Sequence, residues 1–515
     1  MNRGPSPLRR IAAPTLVGLS FFTILTARSA AGDDEPATPN AQDARPPINV
    51  VFYLIDTCRA DSLSAYGYGR KTTPFMEKIG AEGVVFEQCV SQGPWTKPSM
   101  AALLLSMYSS TTGIHSLFQQ LSSKYTTFPE VFRNADYYTA GFSANPIMGR
   151  MSNYSQGFRY FREATQNIPN GDPIGHSSGS STLLNDNVFA WMESRADKDY
   201  MRGERPLFLY IHSVDPHEEY EPAPQYLRRF ADPAGQADYR TKRKLILSGV
   251  KRRRGAADLY RTQKHFDKAG VEVAPYIDYQ KRLYDADIAA NDDQIERLFE
   301  RLEEEGLLEN TLVVITADHG DEFMEHGGTS HGFSLYDELI RVPLILWGPG
   351  IVPAGLRVEH PVQSIDIYPT LCELAGLEAP DAVQGQSLVS YLRGEEPDAV
   401  RPVYSEKREP TADTGILLGK GNAVALIEYP WKYVRNFTQP KDRILPEREL
   451  FDLLDDPMET ENLVERHSDL VRRYDAMVES WLAGNLTRAG NPEVTRLTEI
   501  PEDTQELLRK LGYIK

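Results

Sequence analysis

Cysteine is nearly absent. Cys58, Cys89 and Cys372 are the only three in 515 residues. They are too scattered for a disulfide framework, and none forms a C-x-x-C pair with metal-ligand spacing, which argues against a structural zinc site. One disulfide has room to form in an oxidising compartment, but spacing alone fixes no pair. Positive charge is also in short supply. Lys and Arg number 56 against 73 Asp and Glu, a net charge of −17, and that balance speaks against a general binder of nucleic acid or anionic membrane, whose affinity comes from a basic surface. Internal repeats are missing as well. The remaining composition is ordinary for a globular chain, and the length suits one large catalytic body with an appendage.

The one long apolar run, Ile11 to Ala27, follows Arg9 and Arg10 and ends in Ser29-Ala30-Ala31-Gly32. Residues 1–31 therefore read as a secretory signal, which predicts an exported protein, periplasmic or extracellular. Pro14 and the shortness of the run make membrane anchoring by an uncleaved signal the weaker reading, so no stable membrane span is expected. No cysteine follows for lipid attachment, and Ile11-Ala12-Ala13 after the arginine pair gives twin-arginine export little support. Residues 32–46 are acidic, Pro-rich and without period, the pattern of a flexible leader.

Ile48 to Ile55 (INVVFYLI) is a continuous run of β-branched and aromatic residues, as a strand buried on both faces requires. Similar runs lie at Pro206 to His212, Thr311 to Thr316 and Val342 to Leu346. Between them, Tyr279 to Glu305 repeats apolar residues at helical spacing. Strands alternating with helices predict an α/β fold with a mostly parallel central sheet flanked by helices, whose ligands sit at the carboxyl ends of the strands. Asp56, Asp215 and Asp318 all fall at such ends. After Glu378 the pattern turns to short antiparallel strands around Tyr429 to Tyr433 and Glu449 to Leu453, then an amphipathic stretch, Glu461 to Leu482. The expected division is a catalytic domain over 47–378 and a smaller C-terminal α+β subdomain with a tail over 379–515.

Thr96 precedes the small apolar run Ala101 to Leu105, which reads as a helix. A hydroxyl in that helix's first turn, facing two aspartates and His319, is a candidate nucleophile whose alkoxide a bound cation and the helix N-terminus would stabilise.

These segments resemble the sulfatase family of the alkaline-phosphatase superfamily. The matching stretches are Asn49 to Asp61, Thr96 to Ser106, Asp215-Pro216-His217, Tyr284 to Asp292, Thr316 to Gly320, Leu335 to Leu344, Asp366 to Gly376, Trp431-Lys432-Tyr433 and Glu449 to Leu463. Their shared order from about Pro47 onward carries the resemblance, which implies an alkaline-phosphatase-like α/β domain and a small four-stranded C-terminal subdomain. The departures are informative. The family signature is C-x-P-S-R, whose Cys becomes formylglycine. Here Thr96 takes the Cys position and Met100 the Arg position, so no formylglycine is expected. Thr57 follows Asp56 where the family pairs aspartates, and His319 replaces the usual Asn or Gln.

The resemblance implies one divalent metal ion held by Asp56, Thr96, Asp318 and His319. An all-oxygen site suits calcium, whereas the imidazole of His319 favours zinc or manganese. His217 and His331 match family positions for substrate-binding or leaving-group residues; Lys97 and Asp215 complete the expected substrate-binding set. Asp215, His217 and His331 are also an alternative set for a second metal. The implied activity is hydrolysis of sulfate or phosphate esters through Thr96, on an anionic substrate such as a glycan or lipid head group. A phosphoglycerol- or phosphoethanolamine-like transferase on the same fold, and a non-catalytic relic that binds anionic glycans, are the alternatives. Residues 240–268 carry eleven basic residues against Asp258 and Asp267. They read as a solvated insertion, with attraction of an anionic polymer or lipid as the other reading.

Overall fold

The computed structural model describes residues 47–163, 180–194, 200, 203–248, 261–395, 401–408, 422–438, 445–490, 495–496, 500, 502, 505 and 508. The signal and leader expected over 1–46 lie outside these residues, as do 249–260 of the basic segment.

The apolar runs form the centre of an eight-stranded sheet. Its strands are β1 (Asn49–Ile55), β2 (Val84–Phe86), β3 (Tyr138–Ser143), β4 (Tyr160–Glu163), β5 (Leu207–Ser213), β6 (Thr311–Ala317), β7 (Leu344–Trp347) and β8 (Leu356–Val358), in the spatial order β8-β2-β7-β6-β1-β5-β3-β4. β1 pairs in parallel with β5 and β6, and the parallel run continues through β3 and β4. Every residue of β5 and β6 is buried, as expected for strands covered on both faces. The run predicted as one strand from Val342 to Leu346 is divided. Pro343 lacks the N–H a ladder needs, so Arg341–Val342 pairs elsewhere and β7 enters the main sheet antiparallel to β6 and β2.

Register sets up the site. Ile55 lies opposite both Ser213 and Ala317, so the residues that leave β1 and β6, Asp56 and Asp318, emerge side by side at one edge. The long helix predicted from its periodicity is α4 (Val273–Glu304), with Tyr276, Leu283, Ile288, Ile295, Leu298 and Leu302 on its buried face; α1 (Pro74–Ala81), α2 (Thr96–Leu105) and α3 (Ser180–Glu193) precede it. The polar residues of the buried face of α4 tie down the strand ends. The Tyr284 hydroxyl accepts from Arg59 N (2.9 Å) and donates to Thr57 O (2.8 Å). Asn291 accepts from the Tyr53 hydroxyl (2.7 Å) and donates to Asp215 O (2.8 Å).

The C-terminal part is a four-stranded antiparallel sheet of β9 (Val403–Lys407), β10 (Ala423–Glu428), β11 (Trp431–Asn436) and β12 (Arg448–Asp452). One face packs Val424, Leu426, Tyr433 and Leu450 on Val471, Tyr474, Val478 and Leu482 of α5 (Ser468–Ala489). The other packs on Leu335, Tyr336, Leu339 and Ile340. Buried Lys432 joins the two parts, 2.7 Å from both Asp337 and Glu459. Among the described residues no helix is long and apolar enough to cross a membrane.

Candidate active site

Asp56 is fully buried at the end of β1. Its Oδ1 accepts from the Thr57 hydroxyl (2.7 Å) and its Oδ2 from Asn145 Nδ2 (2.5 Å). Asp318 Oδ1 accepts the backbone N–H groups of Thr57 (3.0 Å) and His319 (2.9 Å). Thr57 supplies its N–H from a left-handed backbone, φ 58°. Asp318 Oδ2 is buried without a hydrogen-bond partner among the described residues.

His319 Nδ1 donates to Gly320 O at 2.9 Å, which leaves Nε2 as an acceptor. That nitrogen lies 3.2 Å from Thr96 Oγ1, 3.4 Å from Asp318 Oδ2 and 3.7 Å from Asp56 Oδ1. Thr96 opens α2, every residue of which is buried. The apolar run thus anchors the helix in the core while its first turn presents a hydroxyl to the strand ends.

Two buried carboxylates this close cannot both hold charge unaided. Burial opposes ionisation of Asp56, but the neighbouring imidazoles of His212, His217 and His319 outweigh it and hold the group low. Burial and the charge of Asp56 push Asp318 well above the carboxylate range. Burial, reinforced by His331, holds His319 well below the usual imidazole value.

His212 carries no motif that marks it in the sequence as functional, yet it belongs here. It ends the apolar run of β5, its Nδ1 is 3.3 Å from the Tyr210 hydroxyl, and its buried Nε2, 3.7 Å from Asp56 Oδ2, has no hydrogen-bond partner among the described residues. Asp56, His212 and Asp318 each offer a ligand atom, all within 4.8 Å of one another. The orphaned atoms Asp318 Oδ2 and His212 Nε2, with His319 Nε2 beside them, suit a divalent cation, and the mixed O and N donors suit zinc or manganese better than calcium.

The other residues singled out from sequence divide. The ring of His331 lies 4.5 Å from that of His319 and 5.1 Å from that of His217. His217 Nδ1 donates to Glu218 O (2.6 Å), and burial lowers its pKa. Lys97 is fully buried; its Nζ has no hydrogen-bond partner among the described residues and lies 5.0 Å from the centre of the Tyr154 ring, and burial pushes the ammonium down to about 7. Asp215 points elsewhere: its Oδ2 accepts Ser181 N (3.0 Å) and Oγ (2.9 Å) in the first turn of α3, where a carboxylate satisfies free N–H groups. Met100 is buried in α2.

Part of the basic segment is internal. Arg261 is fully buried on Glu218, which Arg243 also contacts, while Arg240 and Lys242 pair with Glu221 and Asp238. Cys58, Cys89 and Cys372 are all free and buried.

The sulfatase family model matches residues 48–377, and a model of the N-sulphoglucosamine sulphohydrolase C-terminal region matches 325–478. The chain belongs to the sulfatase family. It is 26% identical over 421 residues to an N-acetylglucosamine-6-O-sulfatase of Bacteroides thetaiotaomicron, covering 70% of this chain and 73% of that one. Among solved structures it resembles a protein in complex with its substrate D-glucosamine-2-N,6-O-disulfate, at TM-score 0.65 and 22% identity over 87% of this chain and 99% of the other. It also resembles a phosphonate monoester hydrolase from Silicibacter pomeroyi, at TM-score 0.65 and 20% identity over 88% of this chain and 100% of the other.

Proposed function

We propose that this chain is an exported, divalent-metal-dependent hydrolase that cleaves sulfate monoesters of glycans with Thr96 as its nucleophile. The observation that carries the reading is the position of Thr96 Oγ1, 3.2 Å from His319 Nε2 and beside the buried Asp56 and Asp318 pair. Glycan sulfate is the substrate class to which the names of relatives point, one an N-acetylglucosamine-6-O-sulfatase and another an ulvan-active sulfatase. Export rests on the N-terminal Arg9-Arg10 and the apolar run behind them.

Asp56, Asp318 and His319 would hold the cation, with His212 facing the same space. When bound, it would supply positive charge that favours the Thr96 alkoxide and neutralises non-bridging oxygens of the ester. The Nδ1–H bond to Gly320 leaves the His319 Nε2 lone pair free to hold the cation, 3.2 Å from the Thr96 hydroxyl on which that charge would act. Thr96 gives up its hydroxyl proton to solvent, and its Oγ then forms a bond to sulfur as the bond from sulfur to the leaving oxygen breaks. His331 passes a proton to that oxygen, with His217 beside it. Water hydrolyses the resulting Thr96 ester, returning the hydroxyl and releasing sulfate. Lys97, a buried ammonium one residue from the nucleophile, balances the negative charge brought in by the ester.

A phosphoester substrate is the second reading, favoured by Met100 in place of the family arginine and by the imidazole among the donors. One experiment separates them. Purified mature protein with its metal content determined is assayed on aryl sulfate, aryl phosphate and phosphodiester substrates beside Thr96→Ala. Thr96-dependent turnover of the sulfate supports the proposal. Preference for a phosphoester installs the second reading, and turnover that survives Thr96→Ala removes both.

A further inference from the structure

A short hairpin, Glu322–Phe323 paired with Gly328–Ser330, carries His331 to the site. Glu322 lies opposite Ser330, so the next residues outward, Asp321 and His331, are neighbours by register. Their side chains meet: His331 Nδ1 lies 3.2 Å from Asp321 Oδ1. The other carboxylate oxygen, Oδ2, accepts a hydrogen bond from the Tyr220 hydroxyl. Asp321 and Tyr220 are 1% and 2% exposed, so neither oxygen has water as a ready alternative. Tyr220 is itself packed against Tyr284, the residue that ties down the loop after β1, with ring centroids 5.6 Å apart.

The backbone fixes the imidazole from both sides. Ser330 holds φ 77° and Gly332 φ 90°. A serine in that left-handed region is strained, and strain of this kind persists where surrounding structure imposes it. At Gly332 a Cβ would lie 3.7 Å from Trp95, the residue before Thr96. The segment bearing His331 is thus laid against the turn that bears the nucleophile. With Nδ1 held by Asp321, no described residue bonds His331 Nε2.

We infer that Tyr220, Asp321 and His331 form a relay in which Asp321 is a positioning residue: it holds the His331 ring so that Nε2 addresses the leaving oxygen of the ester on Thr96. The inference rests on the proposed role of His331. An imidazole fixed through its second nitrogen by a carboxylate is a general way to set its tautomer and aim.

A double-mutant cycle tests it. Wild type, Asp321→Asn, His331→Ala and the double variant are assayed on aryl sulfates with good and poor leaving groups, and on whichever phosphoester is turned over. Bound metal and melting temperature are measured for each. The expected result is a kcat for Asp321→Asn reduced roughly 10- to 100-fold, more for the poor leaving group, with KM and metal content near wild type. In the His331→Ala background the same substitution should cost almost nothing further. Tyr220→Phe should give a smaller loss of the same kind, and Asp321→Glu a partial rescue. Equal losses in both backgrounds would overturn the relay while leaving His331 in its role. Unchanged kcat for His331→Ala would overturn the role and the relay together. If Asp321→Asn does not fold, Tyr220→Phe takes its place in the cycle, and the same two results overturn the relay alone or the relay with the role.

Discussion

Thr96 Oγ1 lies 3.2 Å from His319 Nε2, and the N–H on the opposite nitrogen of that ring is spent on Gly320 O. The ring therefore has one lone pair, on Nε2, which accepts from the threonine in this structure and would face a cation held between Asp56, Asp318 and His319. Removing the hydroxyl should stop covalent chemistry without disturbing the strand ends. Thr96→Ala is expected to lose roughly 10³-fold or more in kcat while retaining fold and metal. Thr96→Ser should keep a substantial part, because it preserves the hydroxyl on the same helix turn. Steady-state kinetics with circular dichroism and elemental analysis check all three points.

Among the described residues, Asp318 Oδ2 and His212 Nε2 are buried without a hydrogen-bond partner. Such atoms cost stability unless an ion satisfies them. Stripping metal with a chelator should therefore lower the melting temperature by a few degrees, and zinc or manganese should restore it in a concentration-dependent way. A ligand at a hundred times its Kd stabilises by about 2.7 kcal/mol. Asp318→Asn should abolish the response. Melting curves that ignore both chelator and added metal would remove the cation from this site.

The strands and the nucleophile turn were legible because their signals are local. Continuous apolar runs marked β1, β5 and β6 within a residue or two, and the motif residues Asp56, Thr96, Asp318 and His319 meet in the fold. His212 and Asn145 were not legible. Each reaches Asp56 from a different strand end, and Asn145 is separated from it by 89 residues with no spacing to announce it. Asp215 sits at a strand end like the other aspartates, but whether such a residue faces a ligand or the first turn of α3 depends on where that helix begins. The basic segment misleads by composition. Arg261 and Arg243 count as charge in a tally, yet Glu218 has already taken them.

Glu218 receives Arg261 through both oxygens, at 2.8 and 2.5 Å, with Arg243 at 3.1 Å. Burial works against the carboxylate, but the two guanidinium groups bring its pKa down to about 2. A value below that of the unfolded chain means the contribution is present above about pH 4.5 and lost as pH falls through 2. Arg261→Ala leaves buried Glu218 with Arg243 as its one remaining guanidinium partner among the described residues and should cost about 2–3 kcal/mol in urea unfolding at pH 7, less than the roughly 3–5 kcal/mol of a fully unpaired buried charge. The Arg261→Met, Glu218→Leu pair should cost much less than Arg261→Ala alone. Because Arg261 Nε also donates to Thr329 in the hairpin that carries His331, activity should fall with stability in the single variant.

Asp292 supplies the opposite sign. Its carboxylate accepts the N–H groups of Phe75 (2.8 Å) and Met76 (2.9 Å) at the start of α1. Those bonds favour the ion, but burial outweighs them and raises the pKa to about 7. The folded chain therefore keeps a proton that the unfolded chain gives up near pH 4. This stabilisation is whole below about pH 4 and is lost as pH climbs through 7, on the order of 4 kcal/mol across the window. Asp292→Asn cannot titrate. The stability advantage of wild type over Asp292→Asn, measured by urea unfolding, should accordingly be largest near pH 4 and shrink steadily towards pH 8. If instead the advantage grows with pH, the two backbone hydrogen bonds dominate burial and Asp292 acts as an ordinary ionised helix cap.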